Sequence, residues 1–148
     1  MIFENYYIII PLLSWVIAQL IKVVIESLKD KKFHYARFIG NGGMPSGHAA
    51  IVASLSTAVL INEGIYSVLF GVTLIFSLII LADAIGVRYE TGRQAEAINE
   101  IIEDMNKTGV RIKAKKLKEK IGHKPTEMFA GSILGVAVAY IIISFNLL

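Results

Sequence analysis

The chain has 148 residues, of which 55% are hydrophobic and 18% charged, and its 15 Lys and Arg against 12 Asp and Glu give a net charge of +3. Soluble domains carry about a quarter charged residues, so a chain this poor in charge lacks the material for a fully water-exposed surface. With no cysteine and three histidines, a disulfide framework, a thiolate nucleophile and a cysteine metal site are excluded, and little is left for a histidine cluster.

The apolar residues fall into four runs. A helix crossing hydrocarbon needs about 17–25 mainly apolar residues, because each residue rises about 1.5 Å and backbone polar groups must be paired internally. The first run spans about residues 6–28 and contains Pro11 and Trp15. Before it stand Glu4 and no Lys or Arg, so the positive start of a cleaved signal is missing and the segment is expected to be retained. A polar connection over about 29–45 follows, with Lys29, Lys31, Lys32 and Arg37 against Asp30. The second run, about 46–62, is short and rich in Ala and Ser, which suits a helix surrounded by other helices better than one facing lipid. A turn at Asn62, Glu63 and Gly64 leads into the third run, about 65–83.

The second polar connection, about 84–125, has internal order. From Arg93 to Met105, apolar Ala97, Ile98, Ile101, Ile102 and Met105 recur at helical spacing beside Glu96, Glu100, Glu103 and Asp104, which predicts an amphipathic helix. Lys107, Thr108 and Gly109 break it, and a second, basic helix is expected from about Val110 to Ile121; its lysines suit anionic headgroups, and a solvated connecting hairpin with the positive-inside bias fits them equally. The fourth apolar run covers about 126–148.

The expected fold is therefore an all-α integral membrane protein, a single membrane domain over 1–148 with about four transmembrane helices and an amphipathic helical hairpin between the third and fourth. Four spans put both polar connections on one side, and their Lys and Arg excess assigns that side to the cytoplasm. Neither connection has the aromatic interleaving that stacks bases, which argues against nucleic acid as a partner.

On this topology Lys22, His48, Asp83 and Glu127 share one membrane depth, with His123, Lys124, Arg88 and Arg93 just outside it. Ionisable groups at the edge of a membrane helix are expensive and usually face a cavity or a partner. In GNGGMPSGHAA, Gly40 to Ala50, Pro45 can pre-set a first helical turn and Ser46 can cap it. The first-turn N–H groups of such a helix attract anions, so Ser46 and the Gly47 amide can bind phosphate while His48 moves a proton; ordinary capping explains the same spacing. His123 and Glu127 are one helical turn apart, so the carboxylate can orient an imidazole whose other nitrogen attacks phosphorus. A structural surface pair is the plainer reading. In DAIGVRYETGRQAEAI, Asp83 to Ile98, Arg88 and Arg93 can clamp phosphoryl oxygens, with Asp83 and Gln94 in support, or form a salt-bridged turn. Asp83, Glu90 and Glu127 could hold Mg²⁺ if they converge, a requirement the spacing leaves open.

GGMPSGHAA, DAIGVR with the downstream GRQA, and GHKPTE before a final apolar helix together resemble the divergent branch of the type 2 phosphatidic acid phosphatase and vanadium haloperoxidase-related superfamily. The resemblance runs over nearly the whole chain. It implies that Lys22 corresponds to the lysine of a first motif, although Lys29 and Asp30 stand where that motif has arginine and proline. Ser46, Gly47 and His48 resemble the second motif. Arg88 and His123 resemble the arginine and nucleophile of the third, with Glu127 in place of its aspartate. The segment from Tyr89 to Gly122 is inserted where the family pattern is compact.

What the resemblance implies is a phosphatase acting at the cytoplasmic face on a lipid or isoprenoid phosphate or pyrophosphate through a phosphohistidine, with no cofactor required. His123 is then the nucleophile, Glu127 its orienting acid and His48 the proton donor, while Lys22, Ser46, Gly47 and Arg88 hold the phosphoryl group. Membrane lipids and a phosphorylated lipid substrate are the expected partners. A noncatalytic membrane protein that binds anionic lipid or a partner through a degenerate phosphate pocket is the alternative, and transport a third. The superfamily core usually has more helices, so a homodimer completing the bundle also fits.

Overall fold

The computed structural model describes residues 5–30 (29 and 30 as backbone only), 43–112, 114–119, 122 and 124–147. Helix α1 runs Tyr6–Asp30. It starts on Asn5, whose side-chain oxygen accepts from Tyr7 N at 2.9 Å and whose carbonyl accepts from Ile8 N at 2.9 Å. Pro11 removes an N–H close to the helix start, where a single intrahelical bond is lost. Helix α2, Gly47–Glu63, is capped by Ser46 and ends at Gly64, whose φ of 81° places it in the left-handed region. The Tyr7 hydroxyl donates to Glu63 Oε1 at 2.6 Å, which ties the start of α1 to the end of α2 and makes the two antiparallel. Ser67 caps α3, Val68–Ile85, by accepting from Phe70 N at 3.0 Å.

Helix α2 is the centre of the bundle and packs on α1, α3 and α5 (Pro125–Ser144). Its small residues permit this: Ala49, Ala50, Ser54 and Ala58 are all fully buried. The closest approach is to α5, where glycine is required. A Cβ at Gly131 would lie 2.3 Å from the Ser46 carbonyl oxygen, and one at Gly135 2.4 Å from that of Ala50. The small residues of the second and fourth apolar runs thus pack against each other within one chain. Toward α3 the contact is polar, with Ser56 and Ser77 hydroxyls 2.8 Å apart and Ser77 Oγ donating to Thr73 O at 2.7 Å.

By contrast α3 buries only Ser77 and Ala84 among its own residues and leaves Val72, Ile75, Phe76 and Ile79 exposed. Three segments, Tyr6–Leu28, Val68–Lys107 and Pro125–Ser144, are helices long and apolar enough to cross a membrane, which agrees with a multi-pass membrane fold. Helix α2 is not among them: its 17 residues give about 26 Å of length against roughly 30 Å of hydrocarbon.

Gly86, with φ −86° and ψ −93°, interrupts the helix between α3 and α4, Val87–Lys107. A Cβ there would lie 2.9 Å from the Ala82 carbonyl oxygen. At the C-terminal end of α4, Lys107 binds Glu103 at 3.1 Å and Asp104 at 3.2 Å, and these bonds hold its ammonium above the usual lysine range.

The amphipathic helix of the hairpin is α4, but its expected basic partner over 110–121 is not a helix: residues 110–112 and 114–119 carry no helical hydrogen bonding. The reason lies on α4. Asn99 supplies both halves of an amide pair to Leu117, donating to its carbonyl at 2.9 Å and accepting from its N–H at 2.9 Å. One heptad on, Asn106 Oδ1 accepts from Ile112 N at 3.0 Å. These side chains bond Ile112 and both backbone groups of Leu117 in a segment that returns along α4, while Lys115, Lys116 and Lys118 would crowd like charge onto adjoining turns of a helix.

Candidate functional site

The site forms at the end of the bundle where α1 finishes and α2 and α5 begin. Lys22 on α1 is buried at 2% exposure. One helical turn on, Glu26 lies with it against Gly43, which has a φ of +88°; a Cβ there would stand 3.0 Å from Glu26 Oε1 and 3.3 Å from Lys22 Cδ. Gly47 similarly meets α1, since a Cβ on it would be 2.9 Å from Trp15 Cδ1. The glycines of the PSGH segment therefore let the turn close onto α1.

Ser46 is fully buried and serves as the α2 cap, its Oγ accepting from Ala49 N at 3.4 Å. Its own N–H donates to the Glu127 carbonyl at 2.9 Å, joining the starts of α2 and α5. The Glu127 side chain caps its own helix, Oε2 accepting from Lys124 N at 3.2 Å. Ala50 N bonds the Ser46 carbonyl at 3.1 Å, while the Gly47 N–H, in the first turn with no helical carbonyl before it, has no acceptor among the described residues.

His48 is exposed at this end, and three charges act on its imidazole: those of Arg88, Lys22 and Asp83. Arg88 Nε donates to Asp83 Oδ2 at 2.6 Å across the Gly86 junction, with both side chains about half exposed. Charges on α1, α3 and α4 thus lie within electrostatic reach of one imidazole on α2, and the backbone of α5 joins α2 at Ser46.

The third motif is drawn in by a backbone contact. A Cβ on Gly122 would lie 2.3 Å from Tyr89 Cα and 2.8 Å from the Arg88 carbonyl carbon, so the end of the Tyr89 to Gly122 insertion returns to its own start. His123, the expected nucleophile, lies outside the described residues, between Gly122 and Lys124.

The structure thus brings Lys22, Ser46, Gly47, His48, Asp83, Arg88 and the backbone of Glu127 to one end of the bundle. Arg93 is not among the charges acting on His48; it is exposed and paired with Glu90 at 3.7 Å, and Gln94 beside it is exposed. Of the possible magnesium ligands, Asp83 pairs with Arg88, Glu90 with Arg93, and Glu127 accepts from the Lys124 N–H of the α5 cap. No group of three or more His, Asp or Glu among the described residues is placed to hold a metal ion.

Three contacts have little local sequence signal. Glu26 is one turn from Lys22 and could have been read from that spacing, whereas Gly122 and Gly131 act through backbone approach alone.

A family model described as the divergent PAP2 family matches residues 3–138. A Bacillus subtilis (strain 168) protein described as the uncharacterized membrane protein YuiD is 37% identical over 151 residues, covering 95% of this chain and 96% of its own length. No solved structure matches.

Proposed function

Because the chain belongs to the divergent PAP2 family, we propose that it is a membrane phosphatase that hydrolyses a lipid or isoprenoid phosphate or pyrophosphate at the bilayer surface. The observation that supports this reading is the closure of the Ser46 to His48 turn onto α1, where Lys22 is buried, and onto the start of α5, through the close approach of Gly43 and Gly47 and the Ser46 N–H bond to the Glu127 carbonyl. Two cations, Lys22 and Arg88, placed at the end of apolar helices suit an anionic headgroup whose tail stays in hydrocarbon.

In this reading Lys22, Arg88 and the Gly47 N–H hold the phosphoryl oxygens, and Asp83 orients Arg88 through its 2.6 Å bond. His123 attacks phosphorus, the ester P–O bond breaks, and His48 gives its proton to the departing alkoxide. Water then attacks the phosphohistidine and releases phosphate. Glu127 steadies the charged His123 while its carbonyl holds Ser46. The topology that goes with this proposal has α2 as a fourth, internal span, both polar connections on the cytoplasmic side, and entry of substrate from the inner leaflet.

A second reading is favoured by one specific observation: the Ser46 hydroxyl and Glu127 carboxylate are each used to cap a helix. A chain that kept this architecture for phosphate binding alone, without turnover, would look the same at those two positions.

The test is phosphate release by the purified protein in detergent from a phosphatidic acid, an isoprenoid monophosphate and an isoprenoid pyrophosphate. The enzyme reading expects release from at least one of them, reduced about a hundredfold or more in both His48→Ala and His123→Ala. Headgroup-dependent lipid binding with no release from any of the three would establish the binding reading instead.

A further inference from the structure

Helix α4 carries an apolar stripe that nothing among the described residues covers. Val87 is 68% exposed, Ile98 44%, Ile101 59% and Met105 38%, and their spacing puts them on one face. The acids lie elsewhere: Glu96, Glu100 and Glu103 line the groove between α4 and the returning segment. That segment holds Leu117 and Val110 exposed, together with Arg111, Lys115 and Lys118, which form no ion pair among the described residues.

We propose that α4 and the returning segment form an interfacial element that lies on the bilayer surface, its apolar stripe in the headgroup and acyl boundary and Arg111, Lys115 and Lys118 on anionic headgroups. Two observations select a membrane as the occupant. Helix α4 follows the exposed apolar helix α3 after the single residue Gly86, with Val87 exposed at the junction, so α4 leaves directly from a surface suited to hydrocarbon and its apolar face resumes at Ile98 after Thr91 and Gln94. The cations sit on a segment pinned to the flank of α4 by Asn99 and Asn106, about a third of a turn around the helix from the stripe, so they travel with α4 and reach headgroups along its side. Junction to α3 also keeps the element at the membrane, so the docking is intramolecular and needs little intrinsic affinity. Helices of this kind bury their apolar face about 5–10 Å into the interface, and basic residues beside them respond to anionic lipid.

The chain has no cysteine, so a single introduced one can be labelled uniquely. Ile101→Cys and Glu100→Cys would carry an environment-sensitive fluorophore in the full-length protein, reconstituted in phosphatidylcholine vesicles with or without phosphatidylglycerol. Gly71→Cys, on the exposed face of α3, reports correct insertion. The proposal expects the Ile101 label to be quenched by headgroup-nitroxide lipid and shielded from aqueous iodide, with the reverse at Glu100. Phosphatidylglycerol should increase lipid quenching at Ile101, and Lys115→Glu with Lys118→Glu should abolish that increase. An Ile101 label reached by iodide as readily as the Glu100 label would overturn the proposal, as would one shielded from both quenchers, which would mean that a second copy covers the stripe. An Ile101 label indifferent to phosphatidylglycerol would remove the role given to the lysines.

Discussion

Replacing Gly135 with alanine tests whether the backbone contact between α2 and α5 holds the bundle. The new Cβ would stand 2.4 Å from the Ala50 carbonyl oxygen and 3.0 Å from Ser54 N. Carbon and oxygen in contact need about 3.3 Å or more, so the helices must part by roughly 1 Å. The obstructing atoms are backbone, on a helix packed from three sides, and no side-chain rotation can relieve them. Overpacking of this kind costs about 1–3 kcal/mol, and the better helix propensity of alanine returns up to about 1 kcal/mol. A net loss of about 1–2 kcal/mol is expected. Gly71→Ala supplies the control, because a Cβ there meets nothing within 4 Å. The same chemical change should then be neutral or stabilising by up to about 1 kcal/mol. Unfolding by titrated SDS in mixed micelles, followed by the fluorescence of Trp15, the one tryptophan, reads both variants. Wild-type stability in Gly135→Ala, or an equal loss in Gly71→Ala, would refute the argument that close approach is what these helices need.

Gly43→Ala combines a positive φ with pressure on Glu26 and Lys22, so it should lose about 1–2 kcal/mol and reduce phosphate release. Gly109→Ala, with φ +95° in open space, should carry similar backbone strain without the effect on release, measured in the same two assays. Ser46→Ala should cost about 0.5–1 kcal/mol through the lost cap, and Ser46→Gly only a few tenths. If the hydroxyl also serves phosphate, release falls in both variants alike; if it only caps, release in Ser46→Gly stays near wild type. Asn99→Ala breaks the bonds to Leu117 and to Glu119 at 2.9 Å, each worth about 0.5–1.5 kcal/mol. Hydrogen exchange over 114–119 should rise sharply while α1, α2 and α5 stay protected.

Residues with a periodic or compositional signature were legible in the sequence. The apolar runs lie in α1, α2, α3 and α5, and the small residues of the second run match its central position, buried on all sides. The amphipathic spacing from Ala97 to Met105 marked α4, although the helix starts earlier, at Val87, because one glycine separates it from α3. What periodicity missed was the state of residues 110–119. Ile112 and Leu117 are held by the side chains of Asn99 and Asn106, and an asparagine that bonds a neighbouring backbone looks in sequence like any polar helical residue. The GSILG spacing of Gly131 and Gly135 suits packing between chains as well as within one, and only the location of Ser46 and Ala50 against it decides.

The insertion between Arg88 and His123 bears on the site through its ends more than its length. Gly122 abuts the Arg88 and Tyr89 backbone, so α4 and the returning segment form an excursion that begins and ends at one place. Closing a longer loop costs only about 0.6 kcal/mol for each doubling of its length, and the Asn99 and Asn106 bonds offset part of that by holding the two limbs together. A compact motif and an interrupted one can therefore present the same ends. The point of closure carries the constraint: a side chain at Gly122 would collide with Tyr89 Cα and N, and Lys124, two residues on, opens the helix whose Glu127 carbonyl holds Ser46. A disturbance at Gly122 is thus carried by backbone from the third motif to the PSGH turn.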